Sequence, residues 1–417
     1  MPKYPYYNEP IHNLGGITDV SGNGARSTAT SLAEGRLVVD AIDKVFMLDP
    51  TQNPLTALLT NIGKGGPKGM GLLKRSTTQP KFTWFEKQPA GRYCKASGIY
   101  AAAGALTLSV TGSGTSPAYI FTPGDILMNS RTGERMLVGA IAGVSTLTIA
   151  AAGRAFGSTS ATAGADGDGL FIIGNVNEEN SGARNINQTR SSEEYNLTQI
   201  FKTTIGASGS ENASKLYGGK SLPQLREEKG KEHALDVERA FWFGERKETT
   251  GTQGKPIRAT GGIQEYIEAG NSYVQNQGGL LTAPDFETFL REGFSFGPKQ
   301  KYFVCGSIVL QAINEIARGH LTTRMDEHSY GMTIVEWQSA FGKINIVHNP
   351  LFVEELAGTG YLLDMDCFAY RFMEGRDTKL SLNIQANDLD GEVDEYLTEV
   401  GLERKQAQNC AMIKGIE

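Results

Sequence analysis

The sequence predicts an α+β fold carrying a small all-β unit. Three stretches predict it. Residues 221–248, SLPQLREEKGKEHALDVERAFWFGERKE, read as one long helix. Beyond them, strand-like KYFVCGS alternates with helix-like TAPDFETFLREGFSF and IVLQAINEIARG, a mixed α+β pattern. Residues 104–176 instead give short apolar strands divided by glycine, serine and proline turns, as in a barrel or compact sandwich.

The composition permits several cores. The chain has 417 residues, 39% hydrophobic and 21% charged. Its net charge of −6 argues against a general nucleic-acid binder, which is usually basic. Cys94, Cys305, Cys367 and Cys410 are far apart, without CxxC spacing, and fit reduced thiols rather than a disulfide frame or zinc site. The N-terminus MPKYPYYNEP has no apolar signal core. The uncharged run Met136 to Gly153 is short for a membrane span, and its Ser and Thr alternate with apolar residues. It reads as a buried hairpin turning at Ala142-Gly143.

In chain order, residues 1–35 are too rich in Gly, Ser, Asn and Thr to build a core, so they need another surface to order them. Asp49-Pro50 breaks the next apolar segment, and Pro54 opens a short helix LTALLTNI. Residues 64–97 are extended and basic, with Lys64, Lys68, Lys74, Arg75, Lys81, Lys87, Arg92 and Lys95 against one acid, Glu86. KFTWFEK alternates like a strand. A solvated face is the plain reading of this charge; docking on an acidic neighbour is the next, and nucleic-acid contact the third. In the all-β unit, TPGDILMNSRTGERMLV reads as two strands joined across Arg131-Thr132-Gly133. Residues 177–205 are again extended and polar. With 64–97 they read as the two legs of a long excursion carrying the β unit at its tip. A two-stranded excursion of that kind is not stable alone in water and needs a neighbouring subunit.

The long helix starts with Ser221, and Gln224 completes a capping-box pattern. Pro223 is harmless in the first turn. Gly230 alone dissents. The first half is polar apart from Leu222 and Leu225; the second is apolar, through Leu235, Val237, Phe241 and Trp242. Such a helix buries one end and lays the other on a surface. After it come a glycine turn, TGGIQEYI, the alternating helices and strands, one strand from GYLLDMDCFAYRFM, and C-terminal strands around an acidic turn.

No stretch carries a catalytic signature. GKGGPKGMG (63–71) and GTQGKPI (251–257) do not fit a phosphate-binding loop, since Lys255 is followed by Pro256 and not by a hydroxyl residue. His12, His233, His320, His328 and His348 lack metal-ligand spacing. The acidic run from Asp388 to Glu395 lacks the register of a calcium loop. An arm and an excursion that need support, with a half-polar helix, are the properties of a subunit made to assemble.

The order of elements resembles the major capsid proteins of tailed phages, the Hong Kong 97 fold shared with encapsulins and herpesvirus floors. VFMLDPTQNPLTALLTNIGKG, GDILMNSRTGERMLV, HALDVERAFWFGERKE and TGGIQEYI carry the likeness, the second resembling a β insertion found in one subgroup. The resemblance implies an N-terminal arm over 1–60 and an extended loop over 61–103 and 177–208. It implies an all-β insertion domain over 104–176. A peripheral domain would span 209–261 and 379–417, with a spine helix over 221–248, and an axial domain 262–378. It implies a structural protein of the virion, not an enzyme, building pentamers and hexamers of an icosahedral shell around double-stranded DNA without sequence-specific binding. It implies no cofactor, metal or membrane. The arm begins almost at Met1, which implies a separate scaffolding protein; portal and decoration proteins are further expected partners. Lys74, Arg75, Lys81 and Lys87 of one subunit are expected to meet Glu227, Glu228 and Glu232 of the next. No covalent cross-link is expected. An encapsulin-like compartment and an α+β ligand-binding protein or enzyme stay open beside this reading.

Overall fold

The computed structural model describes residues 74–87, 91–102, 107–112, 117–150, 152–157, 160–186, 188–214, 221–270, 272–317 and 334–417. The expected arm, the helix LTALLTNI, Lys64, Lys68 and the histidines His12, His320 and His328 lie outside them. The chain forms two compact units, residues 83–195 and the remainder.

Two strands come first, β1 (Arg75–Thr77) and β2 (Lys81–Glu86). Six more follow: β3 (Tyr93–Ala96), β4 (Thr107–Thr111), β5 (Asp125–Asn129), β6 (Arg135–Ile141), β7 (Thr146–Ile149) and β8 (Gly169–Asn175). They close a barrel in the order β3-β4-β7-β6-β5-β8. Closure leaves no sheet edge exposed. Alternation sends Cys94, Leu108, Val110, Leu127, Met136, Val138, Leu147, Ile149 and Leu170 into one core. The β5–β6 and β6–β7 hairpins are as the sequence predicts. The barrel begins earlier than residue 104, however. Cys94 and Ala96 of β3 are small apolar residues between charged ones, so a core strand reads as part of a basic ribbon.

Next come β9 (Ser192–Leu197), β10 (Gln199–Ser208), a short helix α1 (Gly209–Ala213) and the long helix α2 (Ser221–Phe243). β2 and β9 pair as a two-stranded ribbon. The expected excursion is thus shorter than drawn. Its lower legs enter a sheet: β10 pairs antiparallel with β20 (Gly391–Arg404), and β1 parallel with β18 (Phe368–Met373). A hairpin of β11 (Lys247–Thr250) and β12 (Pro256–Ala259) follows α2, then α3 (Ile263–Ala269), β13 (Tyr273–Gly279), α4 (Ala283–Gly293), β14 (Gln300–Cys305) and α5 (Ser307–Ala317). The remaining strands are β15 (Ile334–Gln338), β16 (Lys343–His348), β17 (Gly360–Leu363), β19 (Lys379–Ser381) and β21 (Ala411–Ile416).

Two sheets organise this unit. One runs β1-β18-β20-β10, with β19 also on β20; the other runs β13-β21-β17-β14-β16-β15. The second is mixed, parallel at β13–β21 and β14–β16 and antiparallel elsewhere. Its inner strands β21, β17 and β14 carry apolar side chains on both faces. Tyr302, Val304, Tyr361, Leu363 and Met412 face the core of α2, while Phe303, Cys305, Leu362, Ala411 and Ile413 face that of α4 and α5. GYLLDMDCFAYRFM is therefore two strands, not one. A turn at Met365–Cys367 sends β17 and β18 into different sheets. The C-terminus divides likewise: β20 lies in the first sheet and β21 in the second.

Candidate assembly surface

Helix α2 lies against β10 and β20 along both halves, so its polar half is anchored and not merely laid on a surface. Leu222 packs with Ile205 and Ala207. Arg226 donates to Asp394 at 2.7 Å and Glu392 at 2.9 Å. Gly230 is a point of close approach. A Cβ there would stand 3.1 Å from the Tyr396 hydroxyl, which donates to the Arg226 carbonyl at 3.0 Å. His233 is buried between two threonines, Nδ1 at 2.9 Å from Thr203 Oγ1 and Nε2 at 2.7 Å from Thr398 Oγ1. Burial pushes its pKa down; Asp236 opposes this more weakly. The C-terminal half fills the main core. Trp242 crosses Phe352 edge-on at 5.0 Å and lies 5.1 Å from Tyr361.

The helix stops at Phe243, short of the expected Glu248, because its last turn is wedged under the glycine turn Gly261-Gly262. A Cβ on Gly262 would sit 2.8 Å from the backbone of Trp242 and Gly244. Asn196 fixes the same turn. It donates to the Gly261 and Leu402 carbonyls at 3.0 and 2.7 Å and accepts from the Gly261 amide at 2.9 Å. Arg404 adds a bond to the Gly262 carbonyl at 2.5 Å and one to Glu265 at 3.0 Å.

The outward face of α2 carries Glu227, Lys231, Glu232, Asp236 and Arg239, all exposed. These charges are matched along the helix itself: Glu227 with Lys231 at 3.4 Å, Glu232 with Lys229 at 2.6 Å, Asp236 with Arg239 at 3.3 Å. Glu228 accepts from the Gln224 amide at 3.0 Å, one turn along the helix. Of the expected basic residues, Lys74 pairs with Asp377 in its own unit and lies over the rings of Tyr370 and Phe372 at 5.3 and 5.2 Å. Arg75 aligns with Arg371 across β1–β18. Lys81, Phe85 and Lys87 are exposed at alternate positions along the ribbon strand, opposite in sense to the buried Phe82 and Trp84.

Several anchoring residues gave no sequence signal. Lys301, 1% exposed, donates to the carbonyls of Gly293, Phe296 and Asn409 at 2.6, 2.7 and 2.7 Å. All three of its protons are used, and its positive charge closes the C-terminus of α4. In the barrel, Asp168 accepts from Arg131 at 2.6 and 2.9 Å and from Asn129 at 2.8 Å. Arg131 foremost, then Asn129, holds its carboxyl well below the usual range against the cost of burial. Glu134 accepts from Arg154 at 2.7 and 3.1 Å and from the amides of Ala155 and Thr162 at 3.2 and 3.0 Å.

Among the described residues no group of three or more His, Cys, Asp or Glu could hold a metal, and no helix is long and apolar enough to cross a membrane. All four cysteines are free and buried. Burial pushes the thiols of Cys94, Cys305 and Cys410 up to about 12, so at neutral pH they are not thiolates.

An exposed charged helix face and a two-stranded ribbon with one side bared are features of a structural, assembling protein. The profile of the SU10 major capsid protein family matches residues 20–417, and the chain belongs to that family. It is a phage major capsid protein, a structural component of the virion shell and not an enzyme. It is 26% identical over 347 residues to the major capsid protein of Pseudomonas phage PaMx41, covering 76% of this chain and 80% of that one. Among solved structures it is similar to the cyanophage A-1(L) capsid, with 11% identity, TM-score 0.47 and coverage of 94% and 99% of the two chains. It is similar also to the SrpI encapsulin of Synechococcus elongatus PCC 7942, with 10% identity, TM-score 0.40 and coverage of 56% and 77%. With the family membership, the α+β body and its long helix are the Hong Kong 97-like fold the sequence resembles.

Proposed function

We propose that this chain forms the pentamers and hexamers of an icosahedral shell enclosing the double-stranded DNA of a tailed phage. In this reading the sheet under α2 is the core of the peripheral domain and the six-stranded sheet that of the axial domain. The β2–β9 ribbon is the stem of the extended loop, and the barrel is its insertion domain. The ribbon carries the proposal: it buries Phe82 and Trp84 on one side and bares Lys81, Phe85 and Lys87 on the other, and a two-stranded ribbon gains stability from each surface that covers it. A neighbouring copy of the chain is the surface that a shell supplies.

Lys81 and Lys87 are the basic residues that meet the neighbour. They steer the ribbon onto acidic positions of the next subunit, Glu227, Glu228 and Glu232 among them. Each exposed pair contributes about 0–1 kcal/mol, so repetition gives orientation more than strength. Lys74 serves its own subunit. A separate scaffolding protein, a portal and a decoration protein are the partners such a shell takes. The test is the content of particles purified from the host. Nuclease-protected double-stranded DNA is expected. Particles holding protein cargo and no DNA would instead make this an encapsulin-like compartment. In a second assay, the double variant Lys81→Glu, Lys87→Glu should lower assembly yield at low salt; an unchanged yield would remove the pairing.

A further inference from the structure

The outside of the barrel is not uniformly polar. Along β3, β8, β5 and β6 the residues that alternate with the core ones are Tyr93; Phe171 and Ile173; Ile126 and Met128; and Leu137. The register makes them neighbours. Tyr93 aligns with Phe171, Phe171 with Met128, and Ile126 with Leu137. The rings of Tyr93 and Phe171 lie 4.7 Å apart. Phe171 is 40% and Ile173 51% exposed; both lie within β8 and not on a loop tip, Ile173 at the bulge where the β5–β8 register shifts. A contiguous apolar face of this kind marks a contact surface.

The face also has a charge direction. Lys95, level with Gly169, and Arg135, level with Met128, are exposed at one end. Glu178 and Glu179, both exposed, follow β8 at the other, where the exposed Arg92, whose carbonyl accepts from the Ile172 amide, offsets one of their two charges. Arg184 at that end is neutralised by Asp125 at 2.7 Å. An apolar strip that is basic at one end and acidic at the other is complementary to itself when turned through half a circle. That is the requirement for an isologous contact.

We propose that this face is a two-fold contact between the barrels of two copies of this chain. The inference rests on the shell reading, which brings many copies close together. In the contact, Ile173 lies near the axis, and the basic end of one barrel meets the acidic end of the other.

A two-fold axis brings the same residue of two copies together, and this gives a direct test on the full-length protein. Ile173→Cys should yield a disulfide-linked dimer on a non-reducing gel after mild oxidation, since the four native thiols are buried. Val144→Cys, exposed but outside the patch, should give at least tenfold less. Charge reversal of Lys95 and Arg135 to Glu should abolish the dimer band, and adding Glu178→Lys with Glu179→Lys should restore it. No dimer band from Ile173→Cys, or no restoration, overturns the proposal and leaves the face to another partner. Electron microscopy of the same samples reads shell formation separately. Shells without the cross-link refute this contact alone, whereas small oligomers without shells or capsomers refute the shell reading.

Discussion

His233 joins α2 to two strands through the hydroxyls of Thr203 and Thr398, and its burial disfavours the charged form. Its pKa is lowered on folding, so the unfolded chain takes up its proton first as pH falls. The stability it contributes is complete above the unfolded value of about 6.5 and is lost as pH falls through the folded value. Thermal unfolding at pH 7.5 and 5.5 should show a fall for the native chain that is smaller for His233→Gln. Identical pH responses would contradict this. Lys301 is the second such residue. Lys301→Met leaves three buried carbonyls without their donor, and the expected loss is about 2–4 kcal/mol. Hydrogen exchange should show it first in α4 and β14. Neither role was legible in the sequence. A histidine amid charged helix residues and a lysine beginning a strand look like surface groups until their partners, far along the chain, are known.

At the scale of elements, Gly230 shows how packing outweighs propensity. In an open helix Gly→Ala adds about 1 kcal/mol. Here the added Cβ meets the Tyr396 hydroxyl at 3.1 Å. Gly230→Ala should therefore gain less than that amount, and it should gain more in a Tyr396→Phe background. A double-mutant cycle on unfolding midpoints measures the difference. Gly262→Ala is a stronger case. Its Cβ would meet backbone atoms, which cannot move aside, so the soluble folded yield should fall sharply. Local pattern did reveal the helices, the β5–β6 and β6–β7 hairpins and the all-β character of the insertion, because each depends on nearby residues. It did not reveal that β18 and β21 each join a different sheet from the strand just before them. Each carries apolar residues on both faces, with Arg371 and Lys414 their only charges, so periodicity does not say which sheet receives them. The Arg226–Asp394 pair spans 168 residues, and no spacing rule reaches that far.

For the whole molecule, the sequence shows a subunit that needs neighbours more clearly than it shows where they touch. The polar half of α2 looks like a bare docking surface, yet it is tied to β20 and its outer charges are matched along the helix. Assembly should therefore depend more on the ribbon and barrel faces than on the helix acids. Glu227→Gln with Glu232→Gln should change shell yield less than Phe85→Ser, as measured by sedimentation of assembled material. Electrostatic steering by Lys81 and Lys87 also predicts slower assembly as salt rises, since screening shortens the reach of exposed charges. Electron microscopy of the purified recombinant protein shows whether it assembles into a shell. Closed shells, tubes or rings of five and six subunits are expected; a monodisperse monomer or dimer under all assembly conditions would refute shell assembly.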